Sequence, residues 1–149
     1  MKYNTIEDFT CTGKRVLVRV DLNVPFQDFK VSDNTRLKKF KPNLDKILEN
    51  GGKPIIIGHI GRPNGNFDQN LSTENIALEL EKVLKLKVIF CDTLLGSEAI
   101  KASKDLQPNS ILVLENTRFY SGEENNDPEF SKQLAKLGDL YCNDAFSVC

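Results

Sequence analysis

The chain has 149 residues, 40% of them hydrophobic and 28% charged, with a formal net charge of −1. Such values describe one globular domain over residues 1–149, burying about 68–70% of the surface its unfolded form would expose. They give no electrostatic reason for nucleic acid or a membrane surface as partner; no apolar run approaches the roughly 18 residues that span a bilayer, and no signal-like segment opens the chain, so a cytoplasmic location is expected.

The first apolar run, Lys14 to Val20, breaks into Asp21, Asn23 and Pro25. Val16, Leu17, Val18 and Val20 leave both faces largely apolar, which predicts a strand covered by helices on each side of a parallel sheet. Pro25 cannot extend a ladder and marks the exit, so Asp21 and Asn23 lie at the carboxyl end of that strand, where open α/β sheets bind ligands.

Residues 27–34 read as a polar loop. Residues 35–50 carry Leu37, Phe40, Leu44, Ile47 and Leu48 at helical spacing, with Pro42 as an expected kink and Ser32, Asp33 and Asn34 as candidate caps. Arg36 falls in the first turn, where a cation opposes the helix dipole; on those grounds it is equally a site residue or a solvated one beside Lys38 and Lys39.

The run KPIIIG at 53–58 is a second strand, followed by His59, Gly61, Arg62 and Gly65 in a loop suited to bringing donors around an anion. His59 taken alone is as readily a structural hydrogen-bonding residue. A helix is predicted over 73–84 with Ser72 as its cap, a third strand over 87–91, a short helix over 98–103, and a fourth strand, SILVL, over 110–114. Asn116 and Arg118 follow it. After an acidic loop at 122–127, Asp127-Pro128-Glu129 supplies a cap, a first-turn proline and a dipole-compatible acid for a helix that Gly138 stops. A fifth strand over 139–142 leads to Asn143 and Asp144.

Strands alternating with helices predict an α/β fold, a three-layer Rossmann-like domain with a mostly parallel sheet and helices on both faces. Every strand's carboxyl end then lies on one edge, which would collect Asp21, Asn23, Arg36, His59, Arg62, Asp92, Asn116, Arg118, Asn143 and Asp144. Only five of the 20 basic residues are arginine, and three of those five on one edge imply guanidinium forks for phosphate or carboxylate beside Asp and Asn for hydroxyls. The four cysteines show no Cys-x-x-Cys spacing and the one histidine completes no zinc set, so free thiols and no metal site are expected. No Walker loop, G-x-G-x-x-G or Ser/His/Asp set is present.

The motifs together resemble the N-terminal domain of phosphoglycerate kinase. KRVLVRVDLNVP is similar to that family's RVDFNVP, DNTRLKK to the segment of its central arginine, GHIGRP to SHLGRP, LENTRF to LENLRF, and GDLYCNDAF to GDVYVNDAF. The departures are Leu22, Gly58 and Thr117. The resemblance implies that Asp21, Asn23, Arg36, His59, Arg62 and Arg118 bind 3-phosphoglycerate or 1,3-bisphosphoglycerate, with Arg36 the catalytic group. It also implies that Mg-ATP or Mg-ADP is held by a C-terminal domain missing here, that this chain alone is inactive, and that the protein is a monomer. Arg19, inside the strand, is expected to have a paired structural role. Rival readings are a phosphohydrolase using Asp21 as an aspartyl-phosphate nucleophile, although Asn23 stands where a second acid is usual, and a non-catalytic anion-binding module.

Overall fold

The structure is a computed structural model that describes residues 4–28 and 30–144. In chain order the strands are β1 (Arg15–Arg19), β2 (Phe26–Gln27), β3 (Lys30–Val31), β4 (Lys53–Ile57), β5 (Lys87–Cys91), β6 (Ser110–Leu114) and β7 (Leu140–Asn143). The helices are α1 (Thr35–Lys39), α2 (Lys41–Glu49), α3 (Glu74–Leu84), α4 (Ser97–Asp105), α5 (Ser121–Glu124) and α6 (Pro128–Ala135). Five strands form a sheet of order β5-β6-β4-β1-β7, and each of its pairings is parallel. The expected α/β layering is therefore present.

Side-chain alternation along the strands builds two cores. Val16, Val18, Ile56, Ile111 and Val113 meet Leu37, Leu44, Ile47, Ile76 and Leu80 of α1, α2 and α3 on one face. Leu17, Ile55, Ile57, Leu112 and Leu114 meet Ala99 of α4 and Phe130 of α6 on the other. Each fully buried Leu, Ile or Val contributes about 1.5–3 kcal/mol relative to exposure, so the two cores secure the sheet from both sides. The path from β1 through β4 to β5 runs in one direction along the sheet on the α1–α3 face, and the return through β6 to β7 runs on the α4–α6 face. Reversing direction while changing face keeps one crossover hand. Adjacent strands β4 and β6 consequently send their following segments to opposite faces, which opens a crevice beyond their carboxyl ends.

Local chemistry sets the helix starts. Asp127 Oδ1 accepts the Glu129 backbone N–H at 3.0 Å, with Pro128 in the first turn of α6. Ser72 Oγ accepts from Glu74 N at 3.2 Å at the start of α3. Three expectations are corrected. Residues 35–50 are not one kinked helix: α1 ends before Phe40, and Pro42 stands in the first turn of α2, where its missing N–H is harmless. The segment 27–34 contains part of the β2–β3 hairpin, whose two-residue strands are too short to show a periodic pattern. The acidic loop contains the single helical turn α5. Cys11, Cys91 and Cys142 are unbridged, while Cys149 lies outside the described residues. Among the described residues no helix is long and apolar enough to cross a membrane.

The three departures from the family motifs occupy one place. Thr117 donates to Gly58 O twice, from its backbone N at 3.0 Å and from Oγ1 at 3.1 Å. A Cβ on Gly58 would stand 2.7 Å from Val20 O and 2.9 Å from Cγ and Cδ1 of Leu22. Leu22 thus fills space that a larger residue at 58 would need, and Thr117 bonds the carbonyl between them. Because residues in contact couple, Leu22→Phe, Gly58→Ser and Thr117→Leu should each destabilise by about 1–3 kcal/mol through overpacking or a lost hydrogen bond. All three together should cost less than their sum by about 1 kcal/mol or more. Urea unfolding of the singles and the triple measures this; strict additivity would contradict the shared packing.

Candidate functional site

The crevice is built from the segments that leave β1, β4 and β6. After β1 the backbone turns sharply: Asp21 Oδ1 accepts from Asn23 N at 3.0 Å. Arg36, in the first turn of α1, closes the turn from outside. Its Nη1 donates to Asn23 O at 2.7 Å and lies 3.3 and 3.4 Å from the two Asp21 carboxylate oxygens. Among the described residues its Nη2 and Nε make no bond, so the guanidinium is fixed along one edge and open along the other. Gly61 N donates to Asn23 Oδ1 at 3.4 Å, linking the β1 exit to the β4 exit. Glycine is required there, since φ is +62° and a Cβ would meet Leu71 at 2.9 Å.

A second cluster forms between the β1 and β6 exits. Arg19 Nη2 donates to Glu123 Oε1 at 2.8 Å, and Arg118 Nε donates to Glu123 Oε2 at 3.3 Å. Glu124 Oε1 lies 3.6 Å from the same Nε. A cavity of about 460 Å³ opens against Arg19, Arg118, Glu123 and Glu124. Arg19 has the paired role expected of it, and its partner is an acid that the sequence offered no reason to select.

His59 lies within electrostatic reach of both clusters. Burial pushes its imidazole below the ordinary 6.5, the Arg118 and Arg19 guanidiniums add to the effect, and Glu123 and Asp21 oppose it. At neutral pH it is uncharged and can donate from one ring nitrogen while accepting at the other. The arrangement therefore combines fixed guanidiniums, a neutral imidazole and paired carboxylates.

The remaining candidates are distributed unevenly. Arg62 is exposed and makes no hydrogen bond or ion pair with another described residue. Asp92 follows β5, separated from β1 by β6 and β4, and does not join the cluster. Asn116 is a structural residue: buried, it donates through Nδ2 to Ile60 O and Leu71 O, each at 2.9 Å. Asp144 ties the end of β7 to Arg19 O through its backbone N–H at 2.7 Å. Its carboxyl is pushed up by burial against an opposing hydrogen bond from Asn43. Asn143 borders the cavity. Glu123 is the site residue that sequence reasoning missed, and an acid five residues after an arginine carries no periodic signal to find it by.

Comparison with known proteins gives a consistent result. The family model for phosphoglycerate kinase matches residues 6–149. Phosphoglycerate kinases of Ruegeria pomeroyi and Rhodospirillum centenum are 48% and 46% identical over 148 residues, covering 99% of this chain and 37% of each relative. Solved phosphoglycerate kinases from Pyrococcus horikoshii OT3 and Coxiella burnetii superpose with TM-scores of 0.85 and 0.81 at 32% and 29% identity. They cover 96% and 98% of this chain, which spans 36% and 35% of theirs.

The state of His59 is directly measurable, because it is the one histidine in the chain. Its NMR titration midpoint should fall below 6.5, and Arg118→Met should move the midpoint upward by removing the larger of the two guanidinium contributions. An unmoved midpoint would contradict the electrostatic contact. The unfolded chain binds a proton that the folded one disfavours, so stability from this group is complete above about pH 6.5 and declines as pH falls below it.

Proposed function

The chain belongs to the phosphoglycerate kinase family, and from that premise we propose that it supplies the 3-phosphoglycerate side of a phosphoryl transfer between 1,3-bisphosphoglycerate and ADP. It spans 37% of the length of the curated relatives it matches, and in this reading the segment beyond it holds Mg-ATP or Mg-ADP. Among the described residues no three His, Cys, Asp or Glu side chains gather where a metal ion could be held.

The chemistry asked of this half is modest. A carboxylate acceptor is already anionic at neutral pH and needs no general base. The protein's contribution is to position the two oxygens and neutralise charge on a loose transition state. Asp21 and Asn23 orient the glycerate hydroxyl, and His59, Arg62 and Arg118 anchor the phosphate that does not react. Arg36 neutralises the moving group. The observation that carries the reading is the held edge of Arg36: bonded to Asp21 and to Asn23 O through Nη1, it keeps its other nitrogens for an anion without first having to become ordered.

Two measurements test the proposal. The 149-residue chain should bind 3-phosphoglycerate more tightly than inorganic phosphate in calorimetry and show no ATP-dependent turnover. Equal affinities, or turnover, would overturn it. In a chain extended through its nucleotide-binding half, Arg36→Ala should lower kcat by about 10³-fold, because its charge acts mainly in the transition state. Arg118→Ala should instead chiefly raise KM, since an anchor to the non-reacting phosphate acts in ground and transition states alike. A near-normal kcat for Arg36→Ala would reassign the catalytic arginine.

A further inference from the structure

We propose that Glu123, anchored by Arg19, is the positioning residue that fixes Arg118 for anion binding. The inference rests on the anion-binding reading above and gives a task to an acid that would otherwise seem misplaced, since a carboxylate beside an anion-binding arginine ought to weaken the site.

The geometry argues for positioning over simple charge compensation. Glu123 uses its two oxygens separately, Oε1 on Arg19 at 2.8 Å and Oε2 on Arg118 at 3.3 Å. The Arg118 nitrogen engaged is Nε, at the inner edge of the guanidinium. Among the described residues neither terminal Nη of Arg118 makes a bond, so the pair that suits a phosphate fork is left available. The side chains of Glu123, Arg19 and Arg118 are only 10%, 16% and 22% exposed, so the pairing escapes most of the screening that makes surface ion pairs weak. Glu124, 46% exposed and 3.6 Å from the same Nε, is the weakly held counterpart.

The anchor is itself rigid. Arg19 is the last residue of β1, in register with Ile57 of β4 and Asn143 of β7, so its backbone is held on both sides. One carboxylate shared by two guanidiniums leaves that trio with a net positive charge, and the second acid, Glu124, is half exposed, where solvent screening weakens its opposition to an anion. A long arginine side chain that is ordered before the ligand arrives loses less rotamer freedom on binding, which is what Glu123 contributes.

The two roles predict opposite results. Glu123→Asp keeps the charge but withdraws the carboxylate by one methylene; Glu123→Gln removes the charge. Positioning predicts that both weaken binding of 3-phosphoglycerate and of inorganic phosphate to this chain, by about five-fold or more in calorimetric Kd, with the wild-type fold checked by amide NMR. Unchanged affinity in Glu123→Asp, or tighter binding in Glu123→Gln, would overturn the proposal and leave Glu123 a counter-charge. If Glu123→Asp does not fold, Arg19→Lys replaces it, since a point-charge anchor leaves Glu123 in place but loosely held; weaker binding upholds the proposal and unchanged binding overturns it. If the wild-type chain binds neither probe, the substrate reading fails, and the ligand-free exchange protection of the Arg118 Nε–H decides the positioning claim: lost in Glu123→Asp it stands, retained it falls.

Discussion

A carboxylate that is only 3% exposed must find its hydrogen bonds inside the protein, and Glu115 finds them at the start of α3. Ser72 Oγ donates at 2.7 Å, Thr73 N at 2.9 Å and Asn116 N at 2.8 Å. An unsatisfied buried charge costs several kcal/mol, so the end of β6 and the start of α3 are committed to each other. The positive end of the helix dipole adds to that preference. Asn116 then holds the carbonyls of Ile60 and Leu71, which clamps both ends of the long loop carrying Arg62. The crevice is thus fixed from beneath by one satisfied carboxylate.

Above that foundation, acids and arginines pair in two different regimes. Arg36 and Asp21 meet with side chains 49% and 37% exposed, where an ion pair by itself contributes little stability, and the shorter bond from Arg36 Nη1 to Asn23 O does more to hold the guanidinium. Arg19, Glu123 and Arg118 meet largely shielded, where the same pairing is worth more and is harder to displace. The difference divides the site into an exposed half beside α1 and a shielded half beside α5.

Much of this was legible in the sequence because it is local. Apolar runs ending in polar residues gave the five strands of the parallel sheet, and Asp127-Pro128-Glu129 marked the start of α6 through capping chemistry confined to three residues. What could not be read depends on contacts between distant segments. Arg19 finds its partner in Glu123, 104 residues along the chain, and Leu22, Gly58 and Thr117 looked like unrelated departures until folding brought them into contact. The hairpin and α5 escaped for a different reason, being too short to establish a period. Asp21 and Asn23 could be placed at the exit of the first strand and Arg36 at the start of the next helix, but their closure by a single guanidinium nitrogen could not be read.

The sheet order also has a bearing on how the chain comes into being. β1 lies between β4 and β7, with Val16 opposite Pro54 on one side and Leu140 on the other. As synthesis proceeds from the amino terminus, one edge of β1 is covered early, while the other exposes unpaired backbone groups until the last described strand emerges. Such an edge is a template for pairing with other chains. The strand that delivers Asp21 and Asn23 is therefore paired on both sides only once residue 140 has been made.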